Sequence, residues 1–209
     1  MENKFTKRKT LLITLAFIIV LPMFIYAVAM TVKLRTCDTL KYNSQVITTD
    51  DNIYKYLNEN VSYNFEETNR TKIRTKIENL LDLKFYTYKE YNNLCNGRAY
   101  GQTIFGFRKI KVVNYLGINA YIDTFCHEAV HLKYYNPDER WTTYKTFVVL
   151  FESNDKDLKQ CAINWAYQYV SYYTVDEHGW AVSNNMPPRD YDATYYIIEY
   201  LRTYLAENL

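Results

Sequence analysis

His127-Glu128-Ala129-Val130-His131 places two of the chain's three histidines four residues apart around a glutamate. On an α-helix, positions i and i+4 share a face one turn apart, so both imidazoles can point at a single ion. The intervening glutamate lies beside that face, where it can hold a water at the metal and take its proton. A catalytic zinc of this kind needs a third protein ligand and keeps its fourth position for water.

The third ligand has to come from elsewhere. Pro137 stands six residues beyond His131, which excludes an HExxHxxGxxH ligand set. Two downstream glutamates separate by helix phase. Glu139 falls in the first turn of the next helix beside Asp138, where the macrodipole favours acids. Its i+3, i+4 and i+7 neighbours, Thr142, Thr143 and Thr146, form a polar face, so Glu139 reads as an ordinary N-terminal acid. Glu152 instead continues a stripe of Trp141, Tyr144, Val148 and Val149. A carboxylate facing a core is costly unless it is paired or bound to metal. Glu152 is therefore taken as the third ligand, with Glu177 in reserve.

These residues resemble the zincin metallopeptidases, and among them the gluzincins, over the 35 residues from Asp123 to Asp157. Members of that group carry HExxH on one helix and a glutamate ligand on a following helix about twenty residues on, and His131 to Glu152 is 21 here. The resemblance implies Zn2+ as cofactor, a peptide or protein as substrate, and hydrolysis by zinc-activated water with Glu128 as general base. It also implies a C-terminal His or Tyr for the oxyanion, for which His178 is the candidate. The thermolysin pattern has an orienting Asp where this chain has Lys156, with Asp155 one residue early. Asp123, four residues before His127, is another candidate for that orienting role, beside its plainer reading as an exposed helix acid. The competing expectation is a non-catalytic membrane-tethered binding protein in which HExxH is structural or accidental.

The elements that must position this chemistry are segregated along the chain. Ile53, Tyr54 and Leu57 mark a short helix capped by Asp50 or Asp51, and Ile73, Ile77, Leu80 and Leu81 predict a longer one from Glu66 to Leu83. Phe85–Tyr88, Ala99–Phe107 and Arg108–Val113 read as strands, punctuated by Gly97, Gly101 and Gly106. The stretch from Ala99 to Val113 offers an edge on which an extended peptide could lie. Helices follow at Ile118–Tyr135, Asp138–Glu152, Asp155–Tyr173 and Asp190–Ala206, with a loop from Asp176 to Pro188. A few-stranded sheet followed by the motif helix and C-terminal helices makes an α+β fold, expected to be one zincin-like domain over residues 50–209.

Ahead of it, Lys4, Lys7, Arg8 and Lys9 in a basic tail (1–10) precede Leu11–Val32, twenty-two residues without a formal charge. That run predicts a transmembrane signal anchor, joined to the domain by a connector over 33–49. The flanking charges favour a single-pass topology with the domain on the non-cytoplasmic side. Cleavage near Ala27-Val28-Ala29, giving a secreted protein, is the alternative. Net charge +2, with scattered basic residues, gives no reason to expect a nucleic-acid partner. The 23 tyrosines read as compositional bias. Cys37, Cys95, Cys126 and Cys161 contain no CxxC, so a thiolate zinc site is not expected; pairing and simple burial both remain open. Asn60-Val61-Ser62 and Asn69-Arg70-Thr71 match the short glycosylation sequon.

Overall fold

The computed structural model describes residues 18–32, 38–39, 51–172 and 188–208. The chain divides into two compact units, 1–37 and 38–209. The first contains helix α1 over residues 18–32. Here the expected transmembrane helix is corrected: among the described residues, no helix is long and apolar enough to cross a membrane. The fifteen described residues of α1 rise about 22 Å, short of a hydrocarbon core of about 30 Å. Positions 11–17 of the expected span lie outside the described residues.

The second unit is α+β. In chain order it contains α2 (Asp51–Asn60), α3 (Arg70–Leu80), β1 (Thr87–Tyr91), β2 (Gly101–Ile104), β3 (Lys109–Val113), α4 (Ile118–Tyr134), α5 (Glu139–Phe151), α6 (Lys156–Tyr172) and α7 (Pro188–Asn208). The three strands form one sheet in the order β1-β3-β2. β1 runs parallel to β3, with Thr87 opposite Lys109, and β2 runs antiparallel to it, with Thr103 opposite Ile110. β2 is therefore an edge strand.

α4 lies at the centre, against β2, β3, α3, α5 and α6. That position explains its many apolar residues: Tyr121, Ile122, Phe125, Cys126, Ala129, Val130 and Leu132 are all fully buried. Phe125 stacks on Tyr121 and meets Tyr88 of β1 edge-on, at centroid distances of 6.0 and 5.6 Å. α3 begins four residues later than its periodicity predicts. The backbone N–H groups of Glu66 and Glu67 donate to the two oxygens of Asp157, at 2.8 and 2.9 Å, which holds that segment out of the helix. Asn69 then caps α3, accepting from Thr71 and Lys72. Phe85, expected in the first strand, is a turn residue with φ 55° and an almost fully exposed ring, so β1 starts at Thr87.

Asp157 is 4 % exposed, yet it accepts those two backbone bonds and pairs with Lys76. Asp157→Ala leaves both N–H groups without a partner and is expected to lower stability by about 3 kcal/mol. Urea unfolding checks this, and a loss below about 1 kcal/mol would mean water replaces the carboxylate.

Candidate metal centre

The motif sits on α4, with His131 and Glu128 buried and His127 partly so. The two imidazole rings lie 4.6 Å apart between centroids and nearly perpendicular. Past His131 the helix ends at Tyr135, which takes the left-handed conformation, and the chain reverses through Asn136, Pro137 and Asp138. Asp138 caps α5 by accepting from the Trp141 N–H at 2.7 Å. The reversal brings the first residue of α5, Glu139, over the histidines. Its Oε2 lies 3.0 Å from His127 Nε2 and its Oε1 3.5 Å from His131 Nε2. Three ligand atoms, one from each residue, fall within 4.8 Å of one another, so the group could hold a metal ion. Donors about 2.1 Å from a tetrahedral ion stand about 3.4 Å apart, so the separations to Glu139 have the required size.

The orientation of His131 fits the same purpose. Its Nδ1 meets the backbone carbonyl of Asn136, and the Thr142 hydroxyl lies 3.1 Å from the same nitrogen. A carbonyl oxygen can only accept, so Nδ1 carries the proton and Nε2 presents its lone pair to the site. Glu128 is held from the other side by the edge strand. Thr103 of β2 donates to its Oε2 at 2.7 Å, and Gly101 passes so close that a Cβ there would meet Glu128 Cγ and Oε1 at 2.6 Å.

Charge follows from this arrangement. Burial pushes the Glu128 carboxyl above the usual range, against the pull of His127, His131 and the Thr103 hydrogen bond. Glu139 is held far below that range by its hydrogen bonds to the two histidines. Burial lowers the affinity of His127 for a proton, but the Glu139 hydrogen bond and the charges of Glu128, Glu139 and Asp123 outweigh it and raise its pKa. Two clefts open on either side of the group along β2. One, of about 300 Å³, is lined by Arg98, Gly101, Asp123, Trp165 and Tyr169; the other, of about 230 Å³, by Thr103, Phe105, His131 and Pro137. Glu128 and Glu139 border both.

His127, Glu128 and His131 are thus brought together, but Glu152 does not join them. It ends α5, and its Oε1 accepts from the Tyr200 hydroxyl of α7 at 2.9 Å. α5 packs on both α4 and α7, which is why its face pattern misleads. The threonine face is the one turned to the histidines, with Thr142 and Thr146 buried; Tyr144 packs on Tyr196 of α7. Glu177 and His178 lie outside the described residues. Asp155 caps α6, accepting from Asp157 and Leu158, and pairs with Lys76 at 2.7 Å, so it orients neither His127 nor His131. Asp123 lines the larger cleft and acts on His127 through its charge. Cys126 and Cys161 are buried free thiols and Cys95 an exposed one; Cys37 is outside the described residues. Burial pushes both buried thiols up, which marks them as inert packing.

Sequence reasoning also passed over Gly101 and Thr103. A lone glycine inside a strand pattern is a signal of close backbone approach, and it is satisfied here by Glu128. No protein-family model, curated protein or solved structure matches the chain.

Titration of the full chain with Zn2+ or Co2+ is expected to saturate at one ion. Glu139→Ala should weaken that binding about 100-fold or more, whereas Glu152→Ala should leave it unchanged. The opposite ranking would return the ligand role to Glu152.

Proposed function

We propose that the chain is a zinc metallopeptidase in which His127, His131 and Glu139 hold the ion and Glu128 is the general base. The observation that carries this reading is the convergence of a third carboxylate on the HExxH pair. Glu139 meets the two Nε2 atoms at 3.0 and 3.5 Å, which adds a third donor to the pair. A two-imidazole, one-carboxylate set with room for water is the donor chemistry of catalytic zinc.

Zinc held by His127, His131 and Glu139 would supply Lewis acidity for the activation of water and the polarisation of a carbonyl. The chain's own residues do the rest. Glu128 takes the proton of the attacking water and passes it to the leaving amine. Burial raises its carboxyl above the usual range, the direction that favours taking up a proton. Thr103 and Gly101 fix where it stands. Among the described residues β2 pairs only with β3, and its Gly101 borders both clefts, so an extended peptide can add to the sheet with its scissile bond over Glu128. That mode of recognition reads backbone first and side chains second, and a peptide substrate is the one it favours.

Chelation is expected to abolish hydrolysis of a casein or mixed-peptide substrate, and stoichiometric zinc to restore it. Glu128→Gln should lower kcat by about a thousandfold or more while one zinc per chain remains. Gly101→Ala pushes against Glu128 without touching the ligands, so kcat should fall about 100-fold at unchanged zinc content. Full activity in Glu128→Gln would remove the peptidase reading.

A further inference from the structure

The larger cleft contains a cation that the chain itself does not use. Arg70, Arg74 and Arg202 each pair with a carboxylate, and Arg108 donates to the Lys84 and Phe85 carbonyls. Arg140 is engaged as well. Arg98 is different: it is exposed at the cleft wall, and among the described residues its guanidinium has neither a hydrogen bond nor an ion pair.

Its placement is not that of a casual surface residue. The three residues before it, Cys95, Asn96 and Gly97, all have positive φ, of 51°, 56° and 80°. Left-handed backbone at two consecutive non-glycine residues costs energy and persists only where the surroundings impose it. Here the Asn93 side chain accepts from the Gly97 N–H at 2.6 Å, and Leu94 is buried beneath the turn. Two residues after Arg98, the Tyr100 carbonyl accepts from Val113 of β3 at 2.9 Å, which begins the edge strand. The strained turn therefore delivers Arg98 to the cleft at the point where a peptide would enter along β2.

The other charges in that cleft are already engaged. Glu139 and His127 face each other across the metal site, and Glu128 is bound by Thr103. The charge of Asp123 acts on His127 and on the buried thiols of Cys126 and Cys161. What the cleft offers to an incoming ligand is a guanidinium fork beside the stacked rings of Trp165 and Tyr169, 3.7 Å apart. A planar fork with five donors is matched by a carboxylate.

We infer that Arg98 anchors a carboxylate of the substrate, so that this site selects peptides bearing an acidic side chain or a free C-terminus on the Trp165 side of the reacting bond. The inference rests on the peptidase reading for its substrate class, but binding and cleavage test the two separately. The probes are peptides identical except for Glu or Gln at one position, each made with a free-acid or an amidated C-terminus. Their binding is measured on the zinc-loaded full chain carrying Glu128→Gln, and their cleavage on the unmodified chain. Carboxylate peptides are expected to bind tenfold or more tightly than their neutral counterparts. A Glu preference that survives amidation assigns the side chain as the source; a free-acid preference at either residue assigns the C-terminus. Arg98→Gln should erase the preference, and Arg98→Glu should reverse it in favour of the neutral peptides. Equal binding of all four peptides, or a preference kept in Arg98→Gln, overturns the inference. Selective binding without cleavage would leave Arg98 its role and remove the peptidase reading, and cleavage without selectivity would do the reverse.

Discussion

The reversal between α4 and α5 is the constraint on which the site depends. In four residues the chain must end one helix, turn, and start another so that Glu139 stands over His131. Tyr135 absorbs the change of direction in the left-handed region, and the Asn136 N–H still reaches the His131 carbonyl at 3.2 Å. Asn136 is 1 % exposed and has every polar group in use. Its carbonyl accepts a hydrogen bond from His131 Nδ1–H, its Oδ1 accepts from the Asp138 N–H, and its Nδ2 donates to the Asp38 carbonyl. One turn thus sets both the position of the third carboxylate and the tautomer of the second histidine. Pro137 supports it by continuing neither helix.

Opposite that turn, the edge strand performs the matching task for Glu128. A carboxylate buried against a sheet costs free energy unless it is hydrogen-bonded, and Thr103 supplies the bond. Gly101 supplies the space, since any side chain there would occupy the position of Glu128. The result is a group whose burial raises its pKa while two neighbouring imidazoles restrain the rise. That balance arises from a strand and a helix drawn together by a common apolar core.

The legible parts of the chain were those with strong local signals. The periodicity of Ile73 and Ile77 marks α3, although the helix starts four residues later than that pattern predicts; Asp138 marks the start of α5, and HExxH lies on the helix its pattern predicts. Which glutamate meets the histidines was legible only as a pair of alternatives. Phase analysis treats one face of a helix as buried and the other as wet. α5 lies between α4 and α7 and buries both, so its threonines point inward and Glu152 finds Tyr200 instead of the histidines. Glu139 carried a signal that was discounted, because an acid in a first turn is explained equally well by the helix dipole.

What the sequence determined by itself is therefore the chemistry on offer: two imidazoles and a carboxylate at helical spacing, a strand-rich stretch punctuated by glycines, and an α+β order of elements. These are local properties, written in the covalent spacing of the residues and in their affinity for water. Which carboxylate meets the histidines was decided only by the tertiary structure. So was the tautomer of His131, the approach of Gly101 to Glu128 and the presentation of Arg98 at the cleft. Each of these needs two segments distant along the chain, or a turn whose direction a hydrophobic core must choose, and no single-segment pattern contains that information.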